Sequence, residues 1–494
     1  MNVLMINPKI PATYWSFKHA LSFIGKKAAF PPLGLLTVAA MLPENWTPRL
    51  VDANVRPLRA KDLEWADLAM VGGMMIQREH AHEVIRRCKA ADLTIIGGGP
   101  LFTCEPESFP EVDHLVLNEA EVTLPRFIAD WESGAPKARY ESDRYPSMEA
   151  TPVPRWDLIN PRHYASMSLQ FSRGCPFDCE FCNVTALLGH RPRIKSVEQI
   201  LAELDAIRLA GWRSPVFFVD DNFIGNKHFL RRELLPALEA WQSKKPGISF
   251  YTEASINLSD DPELMEQMVR AGFNTVFVGI ETPSDAGLAE CNKRQNRKRD
   301  LLESVSVMQR AGLQVQGGFI VGFDSDGPGI FQEQVDFIQR SGIVMAMVGL
   351  LQAPVGTRLY ERLKAEGRIK GFSSGDNTGC DTNISPKMGL QALQNGYRQI
   401  FEGIYLPKPY YRRVRQFLRE YRPPQVRTAL QLAHVRAFIR SVWRLGLFGR
   451  ERFEYWKLLG WTAWHRRELL PMAVTMSVMG FHFRKVYETQ MRKG

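Results

Sequence analysis

Three cysteines at a C-x3-C-x2-C spacing, Cys175, Cys179 and Cys182, lie in the run Arg173-Gly-Cys-Pro-Phe-Asp-Cys-Glu-Phe-Cys-Asn183. The chain holds seven cysteines, an odd number, and starts without a basic, apolar leader, so a reducing, cytoplasmic setting and metal or redox chemistry are expected. Closed zinc sites take four ligands, and apart from His190 the next candidate is Cys291, more than a hundred residues on. Three thiolates on one loop instead suit a 4Fe-4S cluster with one iron left open to an exchangeable ligand.

Further candidates close short apolar runs. Asp220-Asp221-Asn222 follows Val216-Phe-Phe-Val, Glu253 follows Ser249-Phe-Tyr-Thr, and Gly279-Ile280-Glu281 follows Thr275-Val-Phe-Val. Adjacent carboxylates either orient a substrate and move a proton or cap the next helix. The runs that present them, 168–172, 216–220, 249–253, 275–279, 316–322 and 345–351, alternate with helical stretches such as 196–209 and 300–311. Six successive βα units predict a partial (β/α)6 barrel of the TIM type over residues 167–365, with its chemistry at the strand C-terminal ends.

Residues 1–133 show the same α/β rhythm, with strands expected at 2–7, 49–52, 68–72 and 93–97 and a helix at 33–42. That pattern predicts a doubly wound, Rossmann-like parallel sheet. Gly72-Gly73 and Gly97-Gly98-Gly99 stand at strand ends, where such sheets bind ligands, though glycines there also simply turn the chain; no G-x-G-x-x-G is present. Residues 134–166, with Pro136, Pro146, Pro152, Pro154 and Pro161, read as a linker.

A cysteine loop of this spacing at the mouth of a six-strand barrel resembles the radical S-adenosylmethionine superfamily. The string Phe-Val-Asp-Asp-Asn-Phe-Ile-Gly-Asn and the layout of residues 1–365 are similar to its cobalamin-binding branch, which includes the hopanoid C-2 methylase. The resemblance implies a 4Fe-4S cluster on Cys175, Cys179 and Cys182, S-adenosylmethionine cleaved to a 5'-deoxyadenosyl radical, and cobalamin held by the N-terminal domain over the barrel mouth. It places Glu253 at the amino group of S-adenosylmethionine, Gly279, Ile280 and Glu281 at its ribose, and Gly318, Ile320 and Gly322 on the adenine side. Asp220 and Asp221 are the candidate catalytic pair. Cobalamin contacts are expected at residues 74–78, Met74 and Gln77 among them, and at Gly97, Gly98 and Gly99; D-x-H-x-x-G is absent, and His80 and His82 are either axial ligands or surface residues.

The implied reaction is methyl transfer to an unactivated carbon. Relatives of the same cofactors catalyse cyclisation, ring contraction or tetrapyrrole oxidation instead. A transfer-RNA methylthiotransferase would need three N-terminal cysteines for a second cluster, and only Cys88 and Cys104 precede the barrel, so nucleic acid is not the expected partner. An electron donor of the flavodoxin, ferredoxin or reductase kind is implied.

Charge separates the body from the tail. The net charge of +10 is concentrated C-terminally, where residues 407–494 hold 19 Lys+Arg against 5 Asp+Glu, and the rest of the chain is mildly acidic. Residues 366–494 read as helical and basic, with arginines interleaved with Trp443, Phe448, Trp456, Trp461 and Trp464. This is the pattern of an amphipathic surface that meets a membrane face, and it predicts a hydrophobic small-molecule substrate and peripheral contact with the inner face of the membrane. The apolar stretch 469–483 is too short to span a bilayer and carries Pro471 and His482.

Overall fold

A computed structural model describes residues 1–423 and 432–491; the tail's Arg427, Arg492 and Lys493 lie outside the described residues. Two six-stranded parallel sheets follow each other along the chain. The first has β1 (Asn2–Asn7), β2 (Thr47–Asp52), β3 (Leu68–Gly72), β4 (Thr94–Gly98), β5 (His114–Val116) and β6 (Arg139–Tyr140), in the order β2-β1-β3-β4-β5-β6. Its central strands are nearly continuous apolar runs because helices cover both faces; Val3 to Ile6 and Leu68 to Met70 are buried. The order reverses between β1 and β3, which opens a ligand crevice beyond their C-terminal ends. Strands β5 and β6 escape the sequence reading because each is only two or three residues long. β6 falls inside the expected linker 134–166, whose first residues therefore complete the N-terminal sheet.

The second sheet comprises β7 (Met167–Leu169), β10 (Val216–Phe218), β11 (Phe250–Glu253), β12 (Phe273–Glu281), β13 (Gln314–Val321) and β14 (Ala346–Leu350) in the order β14-β13-β12-β11-β10-β7. The expected run 168–172 is split: Phe171 leaves the sheet, and β8 (Ser172–Arg173) pairs antiparallel with β9 (Arg193–Ile194), lifting the cysteine loop off the barrel rim. β7 and β14 are not paired with each other, so the barrel stays open.

C-terminal helices brace the open barrel. Tyr405, ending the helix Leu390–Tyr405, donates to Ala346 O (2.7 Å) and accepts from Ala346 N at the start of β14. On the next helix, Pro407–Glu420, Arg413 is wholly buried and donates to Ile404 O (2.8 Å) and Val344 O (3.2 Å). All but Leu469 of the 469–483 stretch lies in the 22-residue helix Leu470–Met491, which buries Ala473, Met476, Phe483 and Val486 against the body. Among the described residues no helix is long and apolar enough to cross a membrane.

Candidate active site

Asp220, just beyond β10, is wholly buried. It accepts hydrogen bonds from the backbone N–H of Phe171 (3.1 Å) and Ser172 and from the Ser172 hydroxyl (2.5 Å). Its carboxylate thus clamps the root of the cysteine loop. Of the two expected catalytic carboxylates, Asp220 is thus engaged within the protein, while Asp221 keeps a buried Oδ2 without a hydrogen-bond partner. Gly174 is the second fixed point, with φ +94°; a Cβ there would press on the carbonyl oxygens of Arg191 (2.8 Å), Gly189 (2.9 Å) and Leu188 (3.0 Å). Only glycine turns the chain into Cys175 without a clash.

Cys175, Cys179 and Cys182 are half-buried free thiols. Burial pushes all three up, Cys182 to about 12. Opposing it, the backbone N–H of Phe177 donates to Cys175 and that of Val184 to Cys182, and Gln295 Nε2 lies 3.8 Å from Cys179 Sγ. Such donors favour the thiolate. Among the described residues no three His, Cys, Asp or Glu side chains close around a point where a single metal ion would sit. Three soft donors with N–H groups at their sulfurs and no fourth protein ligand fit an iron–sulfur cluster better than tetrahedral zinc.

Two desolvated carboxyls share this mouth. Asp221 is held at about 6 by burial, and its Oδ2 has no hydrogen-bond partner. Glu253, at the end of β11, is pushed to about 8 by burial and then by Asp221 and Asp220. A cation arriving here would bring both back to their charged forms. One buried cation is already present. Lys293 Nζ meets Glu281 Oε1 at 2.7 Å; burial opposes its charge, and Glu281 and Cys179 outweigh that cost and hold it protonated. Nothing in the sequence singles out Lys293, because its partners come from other strands and loops.

The remaining barrel candidates are held mainly through their backbone. Glu281 has φ +64°, and Asn296 Nδ2 donates to the carbonyls of Gly279 and Ile280, both at 3.0 Å. The Ile280 side chain is buried in the core. Gln334 Nε2 donates to Ile320 O (2.8 Å), and Asp326 accepts from Gly322 N (2.8 Å). A Cβ on Gly318 would lie 2.8 Å from the Phe277 ring.

In the N-terminal domain, Met74 is exposed at the β3 end of the crevice, and Gly99 (φ +90°) leaves room for a Cβ only 3.3 Å from Gly73 O. Gly73, Gly98 and Gly99 give the crevice a wall of bare backbone, which fits the close approach of a flat macrocycle such as a corrin. Gln77 and Gly97 face inward instead. Gln77 donates to Asn7 Oδ1 (3.0 Å) and Pro8 O and accepts from Met74 N (2.8 Å), and Gly97 packs under Phe102. Both support the crevice from behind. His80 accepts from Lys9 N (3.0 Å), and His82 stacks on Phe109 at 4.6 Å, so both rings are engaged within the domain.

The two C-terminal sheet edges face each other. Arg173 binds Glu119 (2.7 Å) and Glu121 (2.8 Å), and Arg193 binds Glu119 (2.6 Å), joining the end of β5 to the root of the cysteine loop. Asn183, next to Cys182, hydrogen-bonds the Cys104 thiol, and Arg78 donates to Ser373 O (2.8 Å). The crevice of one sheet and the cysteine mouth of the other therefore enclose one cleft.

Residues 169–338 match the Radical SAM superfamily, residues 27–128 the B12 binding domain, and residues 357–494 a domain of unknown function, DUF4070. The hopanoid C-2 methylase of Rhodopseudomonas palustris (strain TIE-1) is 33% identical over 92% of this chain and 88% of its own length. An uncharacterised methyltransferase of Synechocystis sp. is 38% identical over 99% of this chain and 92% of its own. In fold, the chain is similar to the cobalamin-dependent radical enzyme OxsB with aqua-cobalamin bound (TM-score 0.64, 15% identity, 100% of this chain and 80% of that one). It is similar likewise to the methyltransferase TsrM from Kitasatospora setae with cobalamin and a 4Fe-4S cluster bound (TM-score 0.59, 14% identity, 99% of each). The chain belongs to the cobalamin-binding radical S-adenosylmethionine methyltransferases. Its cofactors are a 4Fe-4S cluster, S-adenosylmethionine and cobalamin.

Proposed function

We propose that this enzyme methylates an unactivated carbon of a hydrophobic, lipid- or terpenoid-like substrate and works against the inner face of a membrane, with an electron supplied by a flavodoxin, ferredoxin or reductase. When bound, the cofactors supply a carbon-centred radical strong enough to remove an unactivated hydrogen, and a methyl group to replace it. Cys175, Cys179 and Cys182 hold the cluster. Glu253, with Asp221 beside it, receives the amino group of S-adenosylmethionine, the cation for which two desolvated carboxyls are suited. The backbone from Gly279 to Glu281 borders the ribose, and Gly318, Ile320 and Gly322 lie along the adenine side. Met74, Gly98 and Gly99 face the corrin.

The observation that carries the hydrophobic substrate is a ridge on residues 435–464. Trp443 is 60% exposed, Phe448 71%, Phe453 75% and Trp464 87%. Arg436, Arg440, Arg444, Arg450, Arg452 and Lys457 are exposed among them. The two acids of this segment are turned inward, Glu451 onto Arg484 (2.5 Å) and Glu454 towards Arg415 (4.0 Å). Large rings set among exposed cations, of which Arg450 reaches Glu488 at 3.9 Å, suit an anionic bilayer, where such a substrate resides. The relative named for a hopanoid agrees with this reading.

The test is anaerobic reconstitution with iron, sulfide and hydroxocobalamin, then reduction with methyl-labelled S-adenosylmethionine and a membrane lipid extract. Label in a non-polar product, with flotation of the protein on anionic vesicles, is expected. Label confined to water-soluble acceptors would overturn the substrate class.

A further inference from the structure

A second cavity lies at the opposite end of the barrel from the cysteines. Its volume is about 350 Å³, and each barrel strand lends it a residue within one position of its start: Ser166, Pro215, Ser249, Asn274, Gln314 and Met345. Small domains normally fill the lumen of such barrels with packed side chains. Here the N-terminal half of the lumen is hollow. Its ceiling is aromatic: Phe217 stacks on Tyr251 with centroids 4.8 Å apart, and Trp15 meets Phe277 at 5.0 Å. Tyr251 shares a face of β11 with Glu253, two residues on, so the ceiling lies about 7 Å below the carboxyl at the mouth.

Elements outside the barrel complete the lining, and Ile24, 38% exposed, brings it to the surface. Phe23 and Ile24 of the helix Lys18–Ile24, Ala437, and Met476 and Met479 of the C-terminal helix line the cavity here. Methionines on one wall are adaptable, a useful property around a rigid guest. Ala437 sits directly before the exposed Phe438 and Ile439, and a shallow apolar hollow continues from these to Trp443. Arg440 donates to the carbonyls of Ser22 (3.0 Å) and Phe23 (3.1 Å), and Arg444 to Ser22 Oγ (2.7 Å), so the ridge is tied to the rim of the cavity. The opening and the membrane-facing ridge are therefore one continuous surface.

We infer that the substrate enters through the floor of the barrel, end-on from the bilayer, with its hydrocarbon body in the lumen and its reacting end raised towards Glu253. This rests on the hydrophobic-substrate reading above and adds the route. From Asn274 at the rim to Glu281 at the mouth is about 23 Å along β12, so the route selects elongated molecules modified near one end. The cleft between the two sheets is then left to the cofactors.

The experiment uses the full chain, reconstituted with its cluster, on vesicles of phosphatidylcholine and phosphatidylglycerol. The probe is a pentacyclic C30 hydrocarbon carrying a diazirine on one terminal ring, and labelled peptides are mapped after irradiation. Label on Tyr251, Phe277 or Met479 is expected, with at least a fivefold loss in Ser249→Trp, which fills the cavity. Retained flotation and cluster absorbance in that variant exclude misfolding. Label on residues 74, 98–100 or 221 that Ser249→Trp leaves unchanged overturns the floor route in favour of the cleft. Flotation without any barrel label also overturns it while leaving membrane docking intact. The absence of both flotation and label overturns the hydrophobic-substrate reading itself.

Discussion

Lys293 and Glu281 close a 2.7 Å ion pair directly over the Cα of Gly279, where a Cβ would collide with both Glu281 Oε1 and Lys293 Nζ. Gly279 is thus needed for the space above it. Gly279→Ala should push the pair apart at a cost of about 1–3 kcal/mol, read as a lowered melting temperature of the apo chain. Lys293→Met should cost more, about 3–5 kcal/mol, because it strands a buried carboxylate. The double variant Lys293→Met/Glu281→Gln should recover most of that loss, and additive losses in this cycle would show that the pair is not coupled.

Cluster loading separates the cysteines. Single serine substitutions at Cys175, Cys179 or Cys182 should reduce iron and sulfide after anaerobic reconstitution to near background. Cys291→Ser and Cys380→Ser should load normally, since both lie outside the three-thiol loop. Iron retained in any of the first three would remove that residue from the ligand set.

His482 ties the C-terminal helix to the N-terminal segment. Its ring donates from Nε2 to Tyr14 O (3.0 Å), Nδ1 is buried without a partner, and burial lowers it to about 4. The folded chain therefore binds fewer protons here than the unfolded chain between about pH 6.5 and 4. Stability contributed by the neutral ring is complete above pH 6.5 and lost on acidification, by about 3 kcal/mol at pH 4. His482→Gln, which keeps a donor for Tyr14 O, should flatten thermal stability across that range.

Among the described residues Arg413 has no carboxylate partner; its buried charge is shared between two carbonyls and the rings of Tyr405 (5.6 Å) and Tyr410 (5.3 Å). Arg413→Ala should cost about 3 kcal/mol by leaving the carbonyls of Ile404 and Val344 unpaired. Because Val344 leads into β14, the loss should appear in hydrogen exchange of β14 as well as of the helix Pro407–Glu420. Protection lost in the helix alone would show that the tail is not integral to the barrel.

The sequence alone determined the chemistry that depends on local spacing. Cys175, Cys179 and Cys182 lie within eight residues, so their proximity is fixed before any folding. The apolar runs likewise made four strands of the first sheet and the six of the barrel legible, whereas β5 and β6 were too short to leave a pattern. Strand ends were legible to within a few residues, and with them Glu253 and Glu281 at the barrel mouth. What only the tertiary structure decided is how those groups are spent. Asp220 and Asp221 are adjacent and chemically identical, yet one is bonded by Phe171 and Ser172, nearly fifty residues away, and the other keeps a buried oxygen without a hydrogen-bond partner. Gln77 and Gly97 belong to strand-end loops at the crevice but face inward, because the crossover packing of β1, β3 and β4 sets their direction. Lys293 gained its place from its ion pair with Glu281 and its nearness in charge to Cys179, which no spacing encodes. The hollow barrel floor was equally invisible, for it is bounded by six strand starts and by helices from both ends of the chain, and only the closed fold brings these together.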